Sequence, residues 1–264
     1  CIYFANEIIQ VNPFTDNGLY DDSWVELSIT NSSEYQMITG KSVIFGFKIS
    51  KRCEGWRFRA MDYVMYQQKL YNRNVIVTAS KDDYEEALSV YHGHSIYDKH
   101  LRSYEPKVLV HSTTPEAFSQ ILKDGVLKSW NKVKADNNIS EGKPIGALLG
   151  DPDDFSDFVM LGNGISPEIV VSSREKGYIC MDAHCEYTPG ARLYFNAKQL
   201  ISNSLLVRDG SHYKVKDELP LSLALFCATM QNVCLQGNRA TPKSFSQAAD
   251  EAFEVYQISN SITF

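Results

Sequence analysis

An apolar run that ends in polar side chains, with a helix start directly after it, most restricts the fold of this chain. Residues 107–113 read Lys-Val-Leu-Val-His-Ser-Thr, the pattern of a buried strand. Thr114-Pro115-Glu116 then predicts a helix with proline in its first turn, and Gly125 predicts its end. A strand end beside a helix N-terminus brings an imidazole, two hydroxyls and unpaired backbone N–H groups together. Such a group could bind a ribose hydroxyl and a carboxamide or phosphate. The alternative is that the histidine has a structural role at a strand edge, with its hydrogen bonds made within the protein.

Strands and helices continue to alternate after this step. Residues 129–154 are polar and rich in Lys, Asn, Gly and Asp, which predicts a long functional or mobile loop. Short apolar runs predict strands at 157–162, 177–181, 191–195, 212–215 and 221–227. Apolar stripes and start signals predict helices from Ser166, at 197–202 and at 241–256.

The N-terminal region is predicted to be β-rich with one clear helix. Residues 24–29 and 42–49 alternate apolar and polar side chains, and residues 74–79 form a short β-branched run, so we expect strands there. Ser80 and Asp83 predict the start of a helix that stops near Gly93.

Charge and composition exclude several broad classes. The chain has 264 residues, 44% of them hydrophobic, and a formal net charge of -6. It is therefore globular, without a broad basic footprint for nucleic acid, although a local basic groove remains compatible. The low-charge run 219–230 is shorter than the roughly 20 residues that a membrane-spanning helix needs, and no secretory signal pattern opens the chain. We expect a soluble cytoplasmic protein that does not enter a membrane.

The cysteines predict neither a disulfide scaffold nor a metal site. Six cysteines in a chain of this length are too sparse for a disulfide framework, so we expect reduced thiols. Cys180, His184 and Cys185 are close in sequence, but the paired C-x-x-C spacing of a zinc site is absent.

Two basic groups leave two interpretations open. Lysines in and near the polar stretch would either position phosphates or form a solvated face; these are Lys123, Lys128, Lys132, Lys134 and Lys143. Arginines interleaved with aromatic residues would either stack on a base or lie on an exposed strand that packs its aromatic side chains inward; these are Arg52, Trp56, Arg57, Phe58 and Arg59.

The order of these segments resembles the ADP-ribosyltransferase superfamily. The similarity covers roughly residues 106–230 and is greatest to RNA 2′-phosphotransferases and to DNA-modifying ADP-ribosyltransferase toxins. It begins with His111-Ser112-Thr113 and the helix that ends Ile-Leu-Lys-Asp-Gly-Val-Leu. It continues through 157–162 with the Ser166-Pro167-Glu168 helix start, through Ala191 to Leu200, and through the strand at 210–221 that exits at a proline.

The resemblance implies a split β-sheet that holds NAD as a substrate. His111 would bind a ribose of the dinucleotide, and Ser112 and Thr113 would lie beside the nicotinamide amide. Met160 and Gly162 would line the pocket. The reaction would pass through an oxocarbenium-like ribosyl cation as nicotinamide leaves.

The sequence departs from the family pattern at two positions. The glutamate that usually holds the ribose 2′-hydroxyl falls on His212 or Tyr213, with Asp209 nearby, so these three residues are the predicted acceptor-side group. The aromatic or histidine side chain of the second motif is replaced by Met160.

We therefore predict an α+β protein with two regions. Residues 1–105 form a β-rich α/β accessory region of unknown role, and residues 106–264 form an ADP-ribosyltransferase-like domain with a C-terminal helix. The acceptor is a nucleic acid or a protein, and the resemblance to toxins implies a bacterial or phage-related toxin or defence role with an antitoxin or regulatory partner. Two alternatives remain: a non-catalytic module that binds a nucleotide or partner, and an interaction protein that binds no nucleotide.

Overall fold

The computed structural model describes residues 1–6, 11–32, 36–38, 44–139, 142–235, 237 and 239–264. Its chain divides into two compact units, neither of which is one continuous segment. Unit 1 contains residues 1–98, 149–152 and 207–212, and unit 2 contains residues 99–148, 153–206 and 213–264. The predicted boundary after residue 105 lies near the first change from unit 1 to unit 2, after residue 98. The short segments 149–152 and 207–212 also belong to unit 1, although the sequence predicted them to be part of the C-terminal domain.

Unit 1 is built on a mainly parallel sheet. Its strands are β1 (Ile2–Phe4), β2 (Trp24–Thr30), β3 (Gln36–Ile38), β4 (Phe45–Ser50) and β5 (Asn74–Thr78). They lie in the order β1-β5-β2-β4-β3, and β3 is antiparallel to its neighbour β4. The inward-facing residues Leu27, Phe47 and Val77 share one register and form a core with helices α1 (Trp56–Tyr71) and α2 (Lys81–Tyr91). Residues 42 and 43 of one predicted strand lie outside the described residues.

Helix α1 corrects the prediction of one clear helix in the N-terminal region. It buries residues on several sides, including the polar Asp62 and Gln67, so it has no simple apolar stripe. The Tyr91 hydroxyl donates to Asp62 at 2.7 Å, and Arg73 donates to Gln67 at 2.7 Å. Both buried polar side chains therefore have hydrogen-bond partners. The basic-aromatic segment around Trp56 is therefore the first turn of a helix and not an exposed strand.

The described residues of unit 2 form three antiparallel sheets or strand pairs. Its strands are β6 (Val108–Thr113), β7 (Val126–Lys128), β8 (Phe158–Leu161), β9 (Ala191–Asn196), β11 (Tyr213–Lys216), β12 (Glu218–Pro220) and β13 (Ala224–Ala228). Strand β10 (Leu206–Arg208) begins in unit 2, and its second and third residues belong to unit 1. The central strand β9 pairs with β6 and β13, while β8 pairs with β11 and β7 pairs with β12.

The described residues of unit 2 form five α-helices. They are α3 (Pro115–Asp124), α4 (Trp130–Asn137), α5 (Ser166–Lys176), α6 (Ala197–Ser202) and α7 (Pro242–Ser259). Leu109 and Leu193 face a core shared with β8 and α6, whereas Val110 and Tyr194 face Phe253 of α7. The expectation of a fold that mixes helices and sheets is thus confirmed.

Two predictions of local structure in unit 2 were wrong. Residues 129–154 are not one loop, because α4 forms there: Ser129 accepts from the Lys132 N–H at 3.2 Å, and Lys132 and Asp136 pair at 3.0 Å. This helix has no fully buried residue, so it leaves no apolar stripe to detect. Residues 177–181 are not a strand, because the Cys180 N–H donates to the Ser173 hydroxyl at 2.9 Å instead of to a neighbouring strand.

Among the residues that the structure describes, no helix combines the length and the apolar character that crossing a bilayer requires.

Candidate functional site

The candidate site lies where β6 meets the end of β8. Val110 and Gly162 exchange backbone hydrogen bonds of 2.9 Å in both directions. A Cβ added at Gly162 would lie 3.1 Å from Pro167 of α5, so the chain after β8 approaches α5 closely here. This contact places His111, Met160, Gly162 and the start of α5 together, as the sequence-based site requires.

His111 is held in one orientation by the backbone of β8. Its Nδ1 lies 2.9 Å from the Met160 carbonyl oxygen, and because a carbonyl only accepts, Nδ1 carries the proton. Burial lowers the pKa of His111, the bond to Met160 opposes this shift, and the positive charge of Arg174 lowers the pKa further. In the neutral ring Nε2 is then a hydrogen-bond acceptor, which suits a hydroxyl donor such as that of a ribose.

Ser112 is bound to a buried carboxylate. Its hydroxyl donates to Oε1 of Glu168 in α5, and the Tyr187 hydroxyl donates to Oε2 at 2.5 Å. Nη1 of Arg192 lies 3.4 Å from Oε1. Burial raises the pKa of Glu168, while its hydrogen bonds and the Arg192 charge oppose the shift. Glu168 therefore connects α5 to β6 beside His111.

Arg192 extends this buried network to the C-terminal helix. Nη2 donates to Asp250 Oδ1 at 3.0 Å and to the Gly164 carbonyl at 2.9 Å. The Tyr194 hydroxyl also donates to Asp250 Oδ1, at 2.7 Å, and its ring stacks on Phe253. Because the Arg192 guanidinium is buried and bonded on all sides, it acts in positioning β9, α5 and α7.

The sequence-based interpretation missed this network of Glu168, Tyr187, Arg192 and Asp250. Glu168 was recognised only as part of a helix start, and Arg192 only as part of a strand. A charged residue inside the apolar run of β9 was the available signal, since such a residue is rarely buried without a partner. Its partners lie far away in sequence, so they could not be identified from spacing.

The remaining predicted site residues are placed as follows. Thr113 is buried and donates its hydroxyl to the Thr114 carbonyl at 2.9 Å. Tyr213 pairs with Leu161 in the β8–β11 ladder and packs against the core of unit 2. His212 and Asp209 belong to unit 1, where Oδ2 of Asp209 lies 3.2 Å from Nδ1 of His212 and Oδ1 accepts from the His212 N–H at 2.6 Å. Their roles in catalysis stay predictions.

An exposed cation and an aromatic ring complete the surroundings of His111. Cζ of Arg174 in α5 lies over the ring of Trp130, 5.3 Å from its centroid. Trp130 Nε1 donates to the Gly142 carbonyl at 3.2 Å, and Asn131 donates to Asp157 at 2.7 Å, which ties α4 to the segment just before β8. The pair thus offers a positive charge on an aromatic support.

Within the described part of the chain, no three or more His, Cys, Asp and Glu side chains are grouped so that they could hold a metal ion. All six cysteines are free thiols.

In comparisons with known proteins, no family model and no curated protein matches this chain.

Proposed function

We propose that unit 2 is an NAD-dependent ADP-ribosyltransferase domain with the split-sheet fold of that superfamily. The succession of β6 and α3, β8 and α5, and β9 and α6 follows the order that the sequence resemblance implies. The β6-β9-β13 sheet and the β8–β11 pair, joined at Val110 and Gly162, are compatible with a sheet split around a ligand.

The hydrogen bond from His111 to Met160 is the observation that carries this proposal. It leaves Nε2 of a neutral imidazole as an acceptor at the site. In the proposed reaction the bond between C1′ of the ribose and the nicotinamide nitrogen breaks, and the nitrogen keeps the electron pair. A nucleophile of the acceptor bonds to C1′ and gives up its proton. Nε2 of His111 would accept a hydrogen bond from a ribose hydroxyl and so orient the sugar before this exchange.

The acceptor in this proposal is a macromolecule, either nucleic acid or protein. A role in toxicity or defence, with an antitoxin or regulatory partner, extends the proposal from the toxins that the sequence resembles.

A non-catalytic nucleotide-binding module is the second candidate. The hydroxyls of Ser112 and Thr113, predicted to lie beside the nicotinamide amide, both donate within the protein, to Glu168 and to the Thr114 carbonyl. A site with these bonds retained would bind the dinucleotide without cleaving it.

Nicotinamide release from NAD tests the first candidate. Wild type, His111→Ala and His212→Ala would be compared with single-stranded DNA, RNA, protein and water as acceptors. His184→Ala is the matched control, because His184 is an exposed histidine of unit 2. We expect His111→Ala to lower the rate more than about tenfold, the value of one hydrogen bond, and His184→Ala to leave it unchanged.

Calorimetric titration with NAD and ADP-ribose separates the candidates. Binding without nicotinamide release by folded wild type would reject the transferase and favour the module. Absence of both binding and release would reject both candidates.

A further inference from the structure

Three of the five lysines that the sequence suggested for phosphate binding are already paired with carboxylates. Lys128 and Lys132 both pair with Asp136, at 2.8 and 3.0 Å, and Lys143 pairs with Asp153 at 3.7 Å. The exposed Arg174 guanidinium has no ion pair or hydrogen bond with any residue that the structure describes. Its Cζ lies over the ring of Trp130, 5.3 Å from the ring centroid.

The position of Arg174 on α5 relates it to the His111 site. Pro167, Val170 and Arg174 occupy positions i, i+3 and i+7 and so share one helix face. Pro167 contacts Gly162 at the end of β8, and Val170 is 52% exposed. The opposite face buries Ile169 and Ser172 and is thereby fixed against the protein. The exposed face consequently runs from the His111 site to Arg174.

The contact with Trp130 prepares the guanidinium for an anion. A cation–π contact restrains the side chain, yet it does not neutralise the charge or use the N–H groups in bonds to oxygen. The planar guanidinium fork matches phosphate geometry and binds it through two parallel hydrogen bonds. Trp130 is itself restrained by its bond to Gly142, so the support does not depend on the ligand.

We propose that Arg174, supported by Trp130, binds a phosphate group of the substrate, so that unit 2 selects a nucleoside diphosphate derivative over a nucleoside. This inference rests on the proposed function, because it takes His111 as the ribose-binding residue of the same ligand. Arg174 then determines specificity through the diphosphate, while His111 determines the position of the sugar.

Titration of ADP-ribose and of adenosine into wild type and variants tests this proposal. We expect Arg174→Ala to weaken ADP-ribose binding at least about tenfold, because a charge-assisted hydrogen-bond pair is lost. Adenosine should give the same titration with both proteins, since it carries no phosphate. Arg174→Lys should retain part of the affinity as a point charge, and Trp130→Ala should weaken binding more than Trp130→Phe.

Arg239→Ala is the matched control, because Arg239 is an exposed arginine of unit 2 that pairs with Glu186. It should bind ADP-ribose as wild type does. Thermal unfolding of each variant identifies any loss of fold, which we do not expect for an exposed side chain.

Three results would overturn the proposal: unchanged ADP-ribose affinity in Arg174→Ala, an equal loss of adenosine affinity, or no ADP-ribose binding by wild type. The transferase proposal fails separately. Wild type that binds ADP-ribose through Arg174 but releases no nicotinamide supports the phosphate site alone. Nicotinamide release with the same KM for NAD in Arg174→Ala supports the transferase alone.

Discussion

The Ser112 hydroxyl of β6 donates to the Glu168 carboxylate of α5, so the residue next to His111 is anchored to a buried charge. Glu168 in turn accepts hydrogen bonds from the Tyr187 hydroxyl and from the Arg192 guanidinium. The orientation of the His111 segment consequently depends on a charge network that extends to α7. This dependence can be measured as stability separately from any catalytic effect.

Glu168→Ala should lower the free energy of unfolding by about 3–5 kcal/mol. The substitution leaves the buried Arg192 with only part of its counter-charge and removes the acceptor of two hydroxyls. Urea unfolding measures the change. Glu251→Ala, an exposed position on α7, is the control and should stay within about 0.5 kcal/mol of wild type. Equal stability of the two variants would show that the network contributes nothing net.

Protonation of His111 should lower the free energy of unfolding as pH falls below 6.5. Its pKa in the folded protein lies below the ordinary value of 6.5, so the unfolded chain binds the proton first. The stability that neutral His111 contributes is complete above pH 6.5 and is lost as pH falls toward the lowered folded pKa. Urea unfolding from pH 8 to pH 5.5 measures this loss.

His111→Gln should lose less stability than wild type over the same pH range, because glutamine does not titrate yet retains a donor for Met160. His184→Ala should follow the wild-type dependence on pH. Identical slopes for wild type and His111→Gln would contradict a lowered pKa at His111.

Gly190→Ala should destabilise unit 2 by about 1–3 kcal/mol, the usual effect of overpacking. An added Cβ would lie 2.3 Å from the Thr114 backbone, which cannot move away without displacing the connection between β6 and α3. Gly190 also donates to the Thr113 carbonyl at 2.9 Å, so the substitution should weaken ligand binding at His111 as well. Urea unfolding and ADP-ribose titration check both effects.

Gly125→Ala provides the comparison for Gly190→Ala, because an added Cβ there meets no atom within 4 Å. Its cost comes only from the left-handed backbone, with φ of 71°, and should be about 1–2 kcal/mol without loss of the site. A Gly190→Ala protein with unaltered stability and binding would exclude the tight contact.

Cys227 should react slowly with alkylating reagents. Burial raises the pKa of its thiol to about 11, so only roughly one molecule in a thousand carries the thiolate at pH 8. Iodoacetamide labelling followed by peptide mass spectrometry should show the exposed Cys234 modified well before Cys227 in the folded protein. In urea the two should react at similar rates. Equal labelling of the folded protein would contradict the raised pKa of the Cys227 thiol.

Local signals predicted the elements whose ends and apolar faces are explicit in the sequence. Helix α3 has Thr114 as its N-cap, proline in its first turn and Gly125 in the left-handed conformation at its end, as expected. Helix α1 escaped prediction because its buried residues surround much of the helix, and α4 because it buries none completely. Periodicity detects a helix with one buried face, and neither of these has one.

The candidate site could be predicted only where the order of segments resembles that of a known family. His111, Met160 and Gly162 lie together in the structure, and the family resemblance had implied one pocket for all three. The partners of Ser112 and Arg192 could not be identified, because the Glu168 and Asp250 contacts join residues separated by more than fifty positions. Long-range pairing of buried charges depends on tertiary packing, which composition and spacing do not encode.

The bond between Arg192 and Asp250 also has a consequence for the order of folding. During synthesis from the N-terminus, β6 and β9 are complete well before Asp250 emerges on α7. Until then the Arg192 charge lacks one of its two carboxylate partners, so the sheet cannot close over it at full stability. The His111 segment is thus expected to reach its final order only when the last helix has docked.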